Sequence, residues 1–134
     1  MIKIRNRKKT SKERVVAELV TMCRTASRRP KKVKKGITQC DVTFELLYQM
    51  MESQNWKCIE TNLPLLILDS RLTIDETTEL GMNRLFLPSI DRIDNNKGYT
   101  IDNIRIVTQG YNNLKNIYND SEVWEWINLI KSNK

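Results

Sequence analysis

Three polar residues between Pro88 and Asn116 have the types and the spacing of an oxygen-donor metal site. Asp91 falls in a predicted strand, Asn103 opens a second predicted strand after an Asn/Lys/Gly turn, and Asn112 falls in the first turn of a following helix. A compact strand–strand–helix unit can bring an acid and an amide together. Such oxygen donors can hold one hard cation against a phosphate, so the pattern suggests phosphodiester chemistry.

The chain contains no histidine, and this absence restricts the chemistry. It excludes Ser–His–acid and Cys–His–acid hydrolysis and every histidine-based metal site. It also removes the most common general base. The remaining metal ligands are carboxylates, amides, hydroxyls and backbone carbonyls, which favour Mg²⁺, or Mn²⁺ in its place, over Zn²⁺.

Length and composition indicate one small domain with at most a tail, since the chain has 134 residues of which 40% are hydrophobic. No apolar run approaches the ~20 residues that span a bilayer, and the basic N-terminus lacks the apolar segment of a signal peptide. Cys23, Cys40 and Cys58 are odd in number and widely spaced. This favours a reducing compartment over a disulfide framework, so we expect a cytoplasmic protein without a membrane partner.

The net charge of +7 is strongly segregated along the chain. Residues 1–35 contain fourteen Lys or Arg and two acidic residues, a net charge of +12, whereas residues 36–134 carry a net charge of −5. A polyanion is the natural partner of such a segment, because each neutralised phosphate releases counterions; a merely solubilising tail is the alternative. The residues expected to contact nucleic acid are Arg28, Arg29, Lys31, Lys32, Lys34, Lys35, Lys97 and Lys115.

Local signals outline the elements before the first predicted strand. Thr10 and Glu13 form a capping box for a helix that ends near Ser27. A basic loop follows over residues 28–36, and a second helix runs from about residue 43 to 55, capped by Asp41 or Thr43.

The remaining segments are a β-hairpin, an irregular stretch and a closing helix. The hairpin is expected over residues 57–68 with Asn62 at its turn, and residues 69–81 are expected to be irregular. Ser121 is expected to cap the last helix. That helix should pack on the core through Val123, Trp124, Ile127 and Ile130.

The motifs of the central segment resemble those of the HNH family of endonucleases, in the His-Me finger (ββα-metal) group. The likeness covers roughly residues 41–116 and is closest to the phage-type branch that reads DRID. The matching motifs are Ser89-Ile90-Asp91-Arg92-Ile93-Asp94, Gly98-Tyr99, Asp102-Asn103, Asn112-x-x-Lys115, and the upstream hairpin from Trp56 to Leu65.

The sequence predicts an α+β fold, in which the charge segregation and the capping box indicate a basic helical region at residues 1–36. A small ββα-metal core with a C-terminal packing helix would occupy residues 37–134. The resemblance implies a metal-dependent endonuclease that hydrolyses phosphodiester bonds in DNA. Asp91 and Asn112 would bind Mg²⁺ or Mn²⁺, and the amide of Asn103 would tie the loop between the strands.

Arg92 stands where the family carries its general-base histidine, and a guanidinium cannot accept a proton from water. A metal-bound water, hydroxide from solvent, or the carboxylate of Asp94 or Glu60 would then activate the nucleophile. Arg92 would contact the scissile phosphate, or alternatively pair with Asp94 as a structural ion pair.

The site residues also have ordinary structural interpretations. Asp91 alone could bond backbone amides at a strand end, and Asn112 alone could cap the helix. Two other classes of function stay open for the whole chain. One is a nucleic-acid-binding protein that keeps the fold without catalysis, and the other is a basic structural protein of a ribosome or virion.

A structural zinc is not expected. Where many family members carry two Cys-x-x-Cys pairs, this chain has Cys58-x-x-Thr61 and Thr108-x-x-Tyr111. One thiolate of four cannot complete a tetrahedral zinc site, so packing by Tyr111 and Trp56 is expected to replace the metal.

Overall fold

The computed structural model describes residues 10–68 and 79–134 and has a small mixed α+β fold with one two-stranded antiparallel sheet. The α+β class predicted from the sequence is confirmed. Within the described residues, no helix combines the length and the apolar character needed to cross a bilayer. The elements are α1 (Ser11–Ser27), α2 (Pro30–Lys35), α3 (Phe44–Ser53), a 3-10 helix (Gly81–Phe86), β1 (Pro88–Arg92), β2 (Ile104–Thr108), α4 (Gln109–Lys115) and α5 (Asp120–Ser132).

Two helices begin with the same reciprocal capping motif. At α1, Thr10 Oγ1 accepts from the Glu13 N–H and Glu13 Oε1 accepts from the Thr10 N–H, both at 3.2 Å, as predicted. At α5, Asn119 and Glu122 exchange the equivalent bonds at 2.9 and 3.1 Å. The prediction that Ser121 caps α5 was wrong, because only Asn119 has a glutamate three residues later to complete the motif.

The basic stretch over residues 28–36 is a helix rather than the predicted loop. Pro30 occupies the first turn of α2, where its missing N–H and its fixed φ suit a helix start. Gly36 ends the helix in the left-handed conformation at φ 73°. The prediction therefore misread a helix start and stop as loop signals.

The predicted hairpin over residues 57–68 is reduced to a turn with one antiparallel bridge, between Lys57 and Pro64. Asn62 lies at the turn as predicted, with φ 62°. The Ile59 N–H donates to the Ile106 carbonyl at 3.2 Å, so the turn docks on the edge of β2. The irregular stretch expected over residues 69–81 lies mostly outside the described residues, and its last residue, Gly81, opens the 3-10 helix.

One hydrophobic core joins the N-terminal helix to the sheet. The boundary expected after residue 36 therefore does not separate two cores.

In α5, Val123 is buried and Trp124 and Ile127 pack against the core, but Ile130 is 43% exposed, contrary to the prediction. The core includes Val16, Leu19, Val20 and Cys23 of α1, Leu47 and Met51 of α3, Ile106 and Val107 of β2, Tyr111 of α4 and Val123 of α5.

The segment after α2 is bound to the loop between the two strands. The Tyr99 N–H donates to the Gln39 carbonyl at 2.9 Å, and the Ile101 N–H donates to Asp41 Oδ1 at 2.8 Å. Gly98 lies so close that a Cβ there would sit 2.4 Å from the Gln39 carbonyl oxygen. These contacts fix α2 next to the loop that joins β1 to β2.

We predict that Gly98→Ala destabilises the protein by about 1–3 kcal/mol, because the added methyl group must displace backbone rather than a side chain. Urea unfolding at neutral pH measures this change. Gly110→Ala is the matched control, since a Cβ there would lie 3.1 Å from Leu85 Cβ and 3.3 Å from the Leu85 carbonyl oxygen, a looser contact than the 2.4 Å at Gly98. An unchanged unfolding midpoint for Gly98→Ala would contradict the close contact.

Candidate functional site

Asp91, Arg92 and Asn112 line one open cavity of about 470 Å³ at the junction of β1, the following loop and α4. The fold therefore brings three of the four predicted catalytic residues to a single concavity. Asn103 lies outside it, at the end of the loop. The other residues that line the cavity are Ile90, Asn95, Tyr99, Asn113 and Asn116.

Asp91 is buried, with 6% of its surface exposed, and its carboxylate is paired with two cations. Arg105 Nε lies 2.8 Å from Oδ2, and Lys115 Nζ lies 3.1 and 2.9 Å from the two oxygens. Asp91 therefore forms ion pairs with side chains, whereas the structural interpretation from the sequence expected it to bond backbone amides. Lys115, which is expected to contact phosphate, is buried at the end of α4 in this structure, and its ammonium contacts Asp91.

Asn112 is anchored by its amide nitrogen. Its Nδ2 donates to Ser89 Oγ at 2.7 Å and approaches the Ile90 carbonyl at 3.4 Å. The helix is capped instead by Thr108, whose Oγ1 accepts from the Tyr111 N–H, so the capping interpretation of Asn112 was wrong. With the nitrogen fixed on β1, the amide oxygen is the group of Asn112 that remains to act as a ligand.

Asn103 ties the loop that separates the strands. Its Oδ1 accepts from the Asp94 N–H at 2.9 Å, and its Nδ2 donates to the carbonyls of Asp94 and Gly98 at 3.0 and 2.9 Å. The residue is 6% exposed, and its bond to the Gly98 carbonyl is buried. These are the loop contacts that the resemblance implied.

Arg92 closes the turn at the rim of the cavity. Its Nη1 donates to the carbonyls of Asn95 and Lys97 at 3.0 and 2.9 Å, and its guanidinium carbon lies 5.2 Å from the centroid of the Tyr99 ring. Asp94, the alternative ion-pair partner, instead accepts from the Asn96 N–H at 2.9 Å. Arg92 thus holds the turn while its side chain still lines the cavity.

Arg105 is the residue that sequence reasoning missed. It lies opposite Asp91 across the sheet and contacts three carboxylates, through Nε to Asp91 at 2.8 Å, Nη1 to Glu60 at 3.0 Å and Nη2 to Asp120 at 2.7 Å. Its side chain is 15% exposed. An arginine inside the apolar strand IRIVT was the available signal, because a charge at a half-buried strand position requires a partner.

Two further side chains complete the network around Arg105. The Tyr111 hydroxyl donates to Asp120, and Trp124 Nε1 donates to Glu60 at 2.7 Å. Burial alone would raise the pKa of Asp120, but the hydrogen bonds from Arg105 and Tyr111 outweigh it and hold that pKa below its ordinary value. Burial and the bond to Asp120 raise the pKa of Tyr111.

The four positions that would carry zinc ligands in the resembling family form a hydrogen-bonded knuckle. Burial would raise the pKa of the Cys58 thiol, but hydrogen bonds from Thr61 and from the backbone of Thr108 lower it. Tyr111 packs in the core with 4% of its surface exposed. Trp56 packs edge-on against Tyr48, with 5.3 Å between ring centroids.

The donors at the cavity fit a hard divalent cation in type. Mg²⁺ is commonly held by one or two protein oxygen ligands, with substrate phosphate and water completing the shell. Asp91 supplies a carboxylate and Asn112 an amide oxygen at the same cavity. Across residues 10–68 and 79–134, no group of three or more His, Cys, Asp or Glu side chains could enclose a metal, so any cation here would rely on substrate oxygens.

The basic surface lies beside this cavity. Lys32 is half-buried, and its pKa is lowered by burial and by the positive charges of Arg92, Arg29, Lys35 and Lys31. The segment that follows α2 is bound to Tyr99, which lines the cavity, through the Gln39 carbonyl, so the basic helix lies near the cavity. The exposed basic residues of this surface are Arg28, Arg29, Lys31, Lys34, Lys35 and, on the turn, Lys97.

Comparison with known proteins yields no match: no protein-family model, no curated protein and no solved structure matches this chain.

We predict that Arg105→Met lowers the free energy of unfolding by about 3–5 kcal/mol, because it leaves buried carboxylate charge without its main partner. Urea unfolding at pH 7 measures the loss. Arg84→Met, on the exposed face of the 3-10 helix, is the control and should change stability by less than about 0.5 kcal/mol.

The same variant should respond differently to acid. The pKa of Asp120 in the folded protein lies below the ordinary value of about 3.9. Its contribution to stability is therefore present above pH ~4 and is lost as the pH falls through the lower folded pKa. Since Arg105 is the main cause of the depression, Arg105→Met should lose less stability than wild type between pH ~5 and ~2. An equal loss in both proteins would contradict the network.

Proposed function

We propose that this protein is a metal-dependent endonuclease of the HNH type that hydrolyses phosphodiester bonds in DNA. The observation that carries the proposal is that Asp91 and Asn112, from different elements, line one cavity beside a basic helix. The order of β1, β2 and α4 along the chain supports the proposal, since Asp91 lies on β1, Asn103 directly precedes β2 and Asn112 lies on α4. A cytoplasmic location, in which DNA is accessible, belongs to the same proposal.

The chain's own residues would bind and orient the substrate. The exposed lysines and arginines of α2 would grip the phosphate backbone without regard to base sequence. Lys97 would extend this surface across the turn next to the cavity. Arg92, fixed by two carbonyls, would present the remaining part of its guanidinium to the scissile phosphate.

Asp91 and Asn112 would hold Mg²⁺ or Mn²⁺. When bound, such a cation would neutralise charge that develops on the phosphate oxygens. Asn103 would act at a distance from the substrate, since its three hydrogen bonds fix the loop that carries Lys97 and that accepts the hydrogen bonds of Arg92. A rigid loop keeps the positive charges of Arg92 and Lys97 at fixed positions relative to the cavity.

The two carboxylates considered as general bases are both engaged. Glu60 accepts from Arg105 and Trp124, and Asp94 accepts from the Asn96 N–H. The proposed contribution of this chain is therefore positioning and charge compensation rather than proton abstraction by either group.

A second candidate function is a DNA-binding protein that does not cleave. The specific observation in its favour is the pairing of Asp91 with both Arg105 and Lys115, which compensates the charge that would attract a metal. Under this alternative the basic helix binds phosphate as before. The two candidates differ only in what happens to the bound strand.

We predict that the purified protein converts supercoiled plasmid to nicked or linear DNA with Mg²⁺ or Mn²⁺, and that EDTA abolishes the activity. Asp91→Asn and Asn112→Ala should each reduce the rate at least about a hundredfold, because the first removes the negative charge of the carboxylate ligand and the second removes the amide oxygen. Asp91→Asn is preferred to alanine since it preserves side-chain shape. Glu45→Gln, an exposed acid on α3, is the control. Intact plasmid under every metal condition, with DNA binding retained, would favour the alternative.

We predict that DNA binding depends on salt through the residues of α2. In Lys31→Gln/Lys35→Gln, the slope of log K against log salt should become shallower by about 0.9 for each lost phosphate contact. Fluorescence anisotropy of a labelled duplex over a salt series measures the slope. Lys131→Gln/Lys134→Gln removes the same charge at the end of α5 and should leave the slope nearer to that of wild type.

A further inference from the structure

The ammonium group of Lys115 contacts the carboxylate of Asp91, which the proposed cation would need as a ligand. Lys115 Nζ lies 3.1 Å from Asp91 Oδ1 and 2.9 Å from Oδ2, and Arg105 Nε lies 2.8 Å from Oδ2. An ionised carboxylate offers about four acceptor positions. Three of them are therefore used by nitrogen donors of this chain.

This contact is buried and is set by the helix itself. Lys115 is only 7% exposed. A lysine is rarely buried to this extent without a partner, and Asp91 is the partner here. Asn112 and Lys115 are three residues apart on α4, so they project from the same face of the helix. Asn112 reaches Ser89 and Lys115 reaches Asp91, which places one ligand and one positive charge side by side over β1.

We propose that Lys115 is an internal counter-ion that competes with a divalent cation for Asp91, so that the free protein binds the cation weakly. This inference rests on the proposed function, because it concerns the same cavity. A positive charge within contact distance of a ligand oxygen repels a second cation at that oxygen. Binding of the cation then requires the ammonium to leave Asp91.

The surrounding network offers Asp91 and the displaced ammonium other partners. Arg105 keeps its own bond to Asp91 and therefore continues to orient the carboxylate when Lys115 leaves. The charge of Lys115 also acts on Asp120, so a second carboxylate is within electrostatic reach of the displaced ammonium. The exchange thus moves one lysine side chain and leaves the strands and helices in place.

The test is Mn²⁺ binding to the free protein, measured by electron paramagnetic resonance at fixed ionic strength without DNA. Lys115→Gln should bind Mn²⁺ at least about tenfold more tightly than wild type, since it removes the competing charge but retains a hydrogen-bond donor. Lys115→Arg retains the charge and should behave like wild type. Lys97→Gln, which removes an exposed lysine of the turn, is the control and should also match wild type.

Equal or weaker Mn²⁺ binding by Lys115→Gln would overturn the inference. A second measurement needs no variant: acetylation of Lys115 in the wild-type protein, followed by mass spectrometry. Saturating Mn²⁺ should accelerate modification of Lys115 severalfold relative to Lys97, because the released ammonium becomes accessible. No change in this ratio under saturating Mn²⁺ would count against the competition.

The failure of this inference and the failure of the proposed function give different results. Plasmid nicking that Asp91→Asn abolishes, together with unchanged Mn²⁺ affinity in Lys115→Gln, would overturn the inference alone. Mn²⁺ binding that Asp91→Asn does not weaken would overturn both, because Asp91 would then not be a cation ligand. Tighter binding by Lys115→Gln that is lost in the Asp91→Asn/Lys115→Gln double variant would support the inference.

Discussion

The ion-pair network around Arg105 is the constraint on which the candidate site depends. One guanidinium joins Asp91 of β1, Glu60 of the docked turn and Asp120 of α5, so a single side chain links three separate segments. Partly buried charges of this kind are tolerated only when their partners are complete. The orientation of Asp91 in the cavity is therefore a property of the whole network.

The basic helix and the cavity are parts of one packed unit. The apolar face of α1 lies in the core with β2, and the segment after α2 is bound to the loop that joins β1 to β2 and carries Lys97. The positive charge of α2 is consequently held near the cavity. A surface arranged in this way would lose less conformational entropy on association than a flexible arm would.

The knuckle formed by Cys58, Thr61, Thr108 and Tyr111 shows how this small domain is held together. Hydrogen bonds to the thiol and a buried aromatic ring occupy the positions at which related motifs carry metal ligands. Tyr111 also donates to Asp120, so the knuckle is joined directly to the Arg105 network. The packing of the Tyr111 ring in the knuckle and the charge compensation of Asp91 by Arg105 are therefore linked through Asp120.

The sequence by itself determined the features that depend on neighbours along the chain. Capping at Thr10, the turn at Asn62 and the two strands follow from local residue types and spacing, whereas the loop-tying position of Asn103 was implied by the motif resemblance. Only the tertiary structure decided that Lys115 points at Asp91, that Arg105 gathers three carboxylates, and that α2 lies beside Arg92. The physical reason is that local preferences specify elements, whereas the partner of a charged side chain depends on which surfaces those elements bury against each other.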